Sequence, residues 1–92
     1  MIVLDVRTTS EYQDEHIDGA VNLPVQDLYA NIPSTQEILN TISKDVPVKV
    51  HCASGGRSAL AKQILESKGY TDIENLGGLE DARAYVENLK GK

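Results

Sequence analysis

The chain has no tryptophan and no phenylalanine, and its four aromatic residues are all tyrosines. Its core must therefore be built mostly from aliphatic side chains. Its single cysteine, Cys52, excludes an internal disulfide and any zinc site made of several cysteines. No stretch approaches the ~20 apolar residues that a membrane helix needs, so no membrane partner is expected. No basic segment followed by an apolar core opens the chain, so no signal peptide is expected either. Basic residues are outnumbered: 9 Lys and Arg stand against 14 Asp and Glu, a net charge of −5. That balance argues against nucleic acid as a partner. What remains is an ordinary soluble composition, 40% apolar and 25% charged, in 92 residues. This length predicts one domain, residues 1–92, and monomer is the default state.

The charge is unevenly spread. Residues 1–43 carry seven acids against one base, Arg7, whereas residues 44–92 carry eight bases against seven acids. An anionic substrate is more at home in the second half; the acids of the first half read as a solvated face.

Short apolar runs alternate with helical patterns. Ile2 to Val6 is rich in branched residues and predicts a buried strand. Thr8 and Glu11 have capping-box spacing, predicting a helix over 10–16 that ends before Gly19. Ala20 to Leu23 predicts a second strand, stopped by Pro24, and Val25 to Asn31 a helical turn or two. Ser34 and Glu37 repeat the capping-box spacing and predict a helix over 34–43. Pro47 to Cys52 is the next strand, and Ala53 to Gly56 a tight loop. Leu60, Ala61, Ile64 and Leu65 then form one apolar helical face, with Gly69 at the expected C-cap. Ile73 to Leu76 predicts a strand, Gly77-Gly78 a turn, and Leu79, Ala82, Tyr85, Val86 and Leu89 a final amphipathic helix. This alternation predicts an α/β fold with a mainly parallel central sheet and helices on both faces. In such sheets ligands bind beyond the carboxyl ends of the strands, where Cys52 falls.

The segment His51-Cys52-Ala53-Ser54-Gly55-Gly56-Arg57-Ser58 runs strand, cysteine, small-residue loop, helix. The loop brings unobstructed backbone N–H groups to the start of a helix, whose first N–H groups lack intrahelical partners. With the helix dipole these make an anion-binding nest. A sulfur held there is stabilised as thiolate and becomes a nucleophile without a histidine base. Arg57 sits at the end of the helix that disfavours a cation. It makes sense if its planar donors turn back to the loop to meet an anion. Each residue alone has a plainer reading: a buried inert cysteine, a surface arginine, two turn glycines. Adjacent strand residues face opposite ways, so His51 is expected to point away from the Cys52 sulfur. His16 reads as structural or superficial. Asp5 and Arg7, two apart on one strand face, read as scaffold pairing with neighbours near the sheet edge. Tyr12, Tyr29, Tyr70 and Tyr85 read as core or half-core aromatics.

Cys52-Ala53-Ser54-Gly55-Gly56-Arg57 resembles the Cys-x-x-Gly-x-Arg active loop of rhodanese-like sulfurtransferases. Leu4-Asp5-Val6-Arg7, then Glu11-Tyr12 and His16-Ile17-Asp18-Gly19-Ala20-Val21-Asn22-Leu23-Pro24, are similar to that family's amino-terminal signature. Gly69-Tyr70 and Asn75-Leu76-Gly77-Gly78-Leu79 are similar to its closing motif. The resemblance is to the small single-domain form. Many members carry a further strand and helix before the Asp-x-Arg strand, and many place a tryptophan after the Gly-Gly, which this chain lacks.

The resemblance implies a rhodanese-like domain with thiosulfate:cyanide sulfurtransferase activity. Cys52 would be the nucleophile that takes the outer sulfur of thiosulfate or a similar small-molecule donor as a persulfide. A thiol or cyanide would accept it. Ala53, Ser54, Gly55, Gly56, Arg57 and Ser58 would cradle substrate, with no metal or organic cofactor. It also implies a periplasmic location if Met1 replaces a removed leader, and a cytoplasmic one otherwise. Two other readings share the residues. A cysteine phosphatase or arsenate reductase also sets a cysteine and an arginine around an oxyanion, but such enzymes resemble a five-residue spacing, against four here. A persulfide carrier or regulatory binding module would use the same fold without free-standing turnover.

Overall fold

The structure, a computed structural model, describes residues 1–53 and 56–90. Four strands, β1 (Ile2–Asp5), β2 (Val21–Asn22), β3 (Val48–His51) and β4 (Ile73–Gly77), form one sheet in the order β2-β1-β3-β4. All three pairings are parallel. The helices are α1 (Thr9–Asp14), α2 (Val25–Ala30), α3 (Pro33–Leu39), α4 (Gly56–Ser67) and α5 (Leu79–Lys90). Among the described residues no helix is long and apolar enough to cross a membrane.

Strand alternation divides the core in two. Leu4, Val6, Val48, Val50 and Cys52 face one side, where Leu28 of α2, Leu39 of α3 and Ala61 and Leu65 of α4 cover them. Val3 and Leu76 face the other, packed with Tyr12 of α1 and Leu79, Ala82 and Val86 of α5. Helices thus cover both faces, as a parallel sheet requires.

The Thr8–Glu11 capping box forms: the Thr8 side chain accepts from Glu11 N–H, and the Glu11 carboxylate accepts from Thr8 N–H. The second one does not. Helix α3 starts one residue before Ser34, with Ile32 as N-cap and Pro33 in the first turn. Proline's fixed φ suits that position and needs no N–H partner, so it overrides the side-chain cap. The helix also stops at Leu39 rather than running to 43, the chain continuing as hydrogen-bonded turns through Thr41 and Ile42. The buried stripe of α4 is Ser58, Ala61 and Leu65, while Leu60 is exposed and Ile64 half-buried. Tyr29 is also exposed, against expectation, and Tyr70 is buried with its hydroxyl donating to Leu39 O at 2.8 Å.

Candidate active site

The register of β3 and β4 slips between Val50 and His51, so that Val50 pairs with Asn75 but His51 with Gly77. Gly77 has φ +91°, a left-handed value that glycine adopts without strain. This irregularity lets Gly77 O accept the Cys52 N–H at 2.9 Å, fixing the cysteine one residue past the strand end. The Cys52 side chain is fully buried on the α4 face.

Helix α4 begins at Gly56, where a Cβ would meet nothing within 4 Å. Ala53 is exposed, and Ser54 and Gly55 lie outside the described residues. Ser58, in the first turn of α4, is fully buried, and its Oγ lies 3.5 Å from the Cys52 Sγ. The same hydroxyl donates to Asn75 Oδ1 at 2.7 Å, and that oxygen also accepts from Gly77 N–H at 2.9 Å. The end of β3 and the first turn of α4 therefore meet at the sulfur, and Asn75 on β4 ties Ser58 to Gly77.

Arg57 meets an anion, but one supplied by the protein. Its guanidinium grips the Glu11 carboxylate with both ends of the fork, at 2.6 and 3.0 Å. The two bonds hold Glu11 far below the usual carboxylate range, at about 2, with help from the Thr8 N–H. They also raise Arg57, to which the Cys52 side chain adds a smaller contribution. Glu11 thus both closes the capping box of α1 and fastens α1 to the start of α4. Beside Arg57 runs an apolar groove of about 280 Å³, lined by Val6, Pro24, Val25 and Leu60 among others. The exposed faces of Leu60 and Tyr29 continue it.

On the opposite face, Asp5, Arg7 and His51 form a buried polar layer. Strand β1 is interior, not near the sheet edge, and Asp5 and Arg7 pair with each other. Arg7 Nη2 lies 2.6 Å from Asp5 Oδ2 and donates also to Glu15 O, at the carboxyl end of α1, at 2.6 Å. His51 Nε2 is 3.8 Å from Asp5 Oδ2, too far for a hydrogen bond. Burial pushes the His51 imidazole below its usual value, against the pull of Asp5. Its ring lies over the Asp5 layer, on the far side of the sheet from the sulfur. His16 stacks on Tyr12, with ring centroids 3.8 Å apart, and is exposed.

The profile of the Rhodanese-like domain matches residues 1–84. The chain belongs to the rhodanese-like family. It is 41% identical over 78 residues to the thiosulfate sulfurtransferase PspE of Escherichia coli, covering 85% of this chain and 70% of that protein. It is 32% identical to a tRNA sulfurtransferase of Desulfurococcus amylolyticus, of which it spans only 16%. Among solved structures, a rhodanese with anions from E. coli superposes with a TM-score of 0.73 at 40% identity, over 87% of this chain and 88% of that one. A human single-domain sulfurtransferase, TSTD1, superposes with a TM-score of 0.67 at 28% identity, over 99% and 82%.

In this rhodanese-like domain the residues singled out from sequence, Cys52, Gly56, Arg57 and Ser58, lie together. Two partners of theirs were not singled out as site residues. Glu11 was visible as a capping-box acid, and Asn75 as part of the Asn-Leu-Gly-Gly run, but what each touches depends on tertiary closure. Among the described residues no three metal-ligating side chains come together.

Proposed function

We propose that this rhodanese-like domain is a single-domain sulfurtransferase working through a persulfide on Cys52. The observation that carries the reading is the buried Cys52 sulfur at the end of an inner parallel strand, facing the first turn of α4, in a chain this similar to a thiosulfate sulfurtransferase. The Cys52 thiolate attacks the outer sulfur of thiosulfate. The new S–S bond forms as the S–S bond of the donor breaks, and sulfite leaves with the electron pair. An acceptor, cyanide or a thiolate, then attacks the outer sulfur of the persulfide and restores the Cys52 thiolate. This is two-step covalent catalysis with ping-pong kinetics. Arg57 and the amides from Ala53 to Ser58 offset the negative charge of donor and persulfide.

Arg57 is already engaged in both ends of its fork by Glu11, which speaks for charge balance around a sulfur rather than full enclosure of a phosphoryl group. The test is intact mass after incubation with thiosulfate and removal of excess donor, beside Cys52→Ser. The expected result is a gain of one sulfur atom, absent in the variant and reversed by cyanide. Failure of the folded, reduced protein to take up sulfur, with Cys52-dependent turnover of an aryl phosphate, would replace this reading with the phosphatase one.

A further inference from the structure

The apolar groove of about 280 Å³ beside Arg57 opens beyond the carboxyl ends of the strands, where a parallel sheet receives its ligands. One wall adjoins the cysteine. Asp5 and His51 are register partners, so the residues that follow them, Val6 and Cys52, lie side by side past the ends of β1 and β3, in one core cluster. Val25 N–H donates to Val6 O at 3.0 Å, which brings Pro24 and Val25 alongside from the end of β2. Leu60, three residues along α4 from Arg57, forms the other wall, and Tyr29 extends the groove outward. The polar end of the groove is Thr8 and Arg57, whose side chain also interacts with that of Cys52. Both are committed to Glu11. Its carboxylate takes both ends of the Arg57 fork at 2.6 and 3.0 Å, and its Oε1 also accepts the Thr8 N–H and hydroxyl, each at 3.1 Å. One positive and one negative charge therefore balance at that end, and Gln26, exposed beside the groove, adds none.

Neither thiosulfate nor cyanide uses such a groove. Thiosulfate is a small dianion, which apolar walls do not attract. Cyanide is diatomic, whereas the groove has the volume of roughly nine waters at ~30 Å³ each. We infer that the groove is the acceptor subsite, and that the acceptor it takes is a thiol with an uncharged, apolar body. The inference rests on the sulfurtransferase reading of Cys52 and names its second substrate. The acceptor thiolate attacks the outer sulfur of the Cys52 persulfide. A new S–S bond forms, the persulfide S–S bond breaks with its electron pair returning to Cys52, and the acceptor leaves as its own persulfide. Its apolar body lies against Val6, Val25 and Leu60. A second charge on that body would lose water to apolar side chains and gain nothing from a guanidinium already balanced by Glu11.

The experiment loads the protein with thiosulfate, removes the excess, and follows discharge of the persulfide by intact mass. The acceptors are mercaptoethanol, mercaptohexanol and mercaptoethanesulfonate, compared at equal thiolate concentration. A fully buried methylene is worth about fourfold, and about twofold where a groove covers half of it, so the four extra methylenes of mercaptohexanol should speed discharge roughly 16-fold over mercaptoethanol. The sulfonate should be slower than mercaptoethanol. Leu60→Gln with Tyr29→Gln alters two exposed side chains. It should bring the ratio of the two mercapto alcohols down to about fourfold or less, with cyanide discharge changed less than about twofold. Normal loading with a ratio near one, or a ratio unchanged in the double variant, overturns this inference and leaves the sulfurtransferase reading standing. A ratio near one in a protein that light scattering shows to be a dimer, dissociated by the double variant, overturns it in favour of a second copy in the groove. Should no sulfur load, the sulfurtransferase reading fails and the groove is tested by itself. Methyl NMR of the Cys52→Ser protein with mercaptohexanol should then show saturable shifts at Val6, Val25 and Leu60, and their absence overturns the apolar-thiol site.

Discussion

Removing the Asp5 carboxylate is the sharpest test of what holds β1 and α1 in place. Asp5 is fully buried and accepts from the Arg7 backbone N–H at 3.0 Å, from Nε at 2.9 and 3.1 Å and from Nη2 at 2.6 Å. Asp5→Ala leaves the Arg7 guanidinium, itself only 6% exposed, with the Glu15 carbonyl but without its hydrogen-bonded counter-charge. Breaking a buried pair from one side costs ~3–5 kcal/mol, because the surviving charge has lost its solvent and its partner. A chain of this length has roughly 5–14 kcal/mol in all. The variant is expected to lose roughly a fifth or more of that, and ~12–40 °C of melting temperature at 4–8 °C per kcal/mol. Urea unfolding at pH 7, followed by circular dichroism and tyrosine fluorescence, measures it. The double variant Asp5→Leu with Arg7→Met removes both charges and should recover most of the loss, since the penalty belongs to the orphaned ion and not to the absent pair. An Asp5→Ala loss under ~1 kcal/mol, or a double variant as unstable as the single, would refute this account of the pair.

Acid should destabilise the fold in two stages. His51 is held neutral by burial, so below its ordinary value near 6.5 the unfolded chain takes up a proton that the folded chain refuses. Stability should fall by up to ~1.4 kcal/mol between pH 7.5 and 5.5, a loss that His51→Asn removes. A second decline should follow between the unperturbed Glu11 value of 4.5 and its folded value of about 2, as the carboxylate that binds Arg57 is protonated; Glu11→Gln should abolish it in the same urea series. At neutral pH Glu11→Gln should cost under ~1 kcal/mol, since both partners are over a third exposed. It should also make donor saturation more sensitive to salt, because Arg57 then carries an uncompensated charge. Arg57→Ala should weaken donor saturation more than folding, and an unchanged saturation curve would remove Arg57 from the anion site.

Where local chemistry decides structure, the sequence was a good guide. The branched run at Ile2, the apolar strand before Cys52 and the Thr8–Glu11 cap all formed near their expected places. The failures have a common cause. Ser34 has the spacing of a cap, but Pro33 beside it set the helix start. Leu60 has the period of a core residue, but the stripe that α4 buries is rotated to bring Ser58 inward. A serine at a core position cannot be distinguished from a surface serine by pattern, because what admits it is Asn75, 17 residues away on another element. The arginine of the active loop was expected to face the loop; its partner Glu11 is set by tertiary packing.

The Arg57–Glu11 bridge joins residues 46 positions apart, and the Asp5–His51 register spans the same separation. The link from the amino-terminal strand and helix to the start of α4 therefore depends on long-range closure. Loop closure across that span must be achieved before either contact repays it, and parallel pairing of this kind folds slowly. During synthesis Glu11 emerges well ahead of Arg57, so α1 waits for its counter-ion until the second half of the chain arrives. The bridge reports, at the mouth of the site, that the amino-terminal strand and helix have docked.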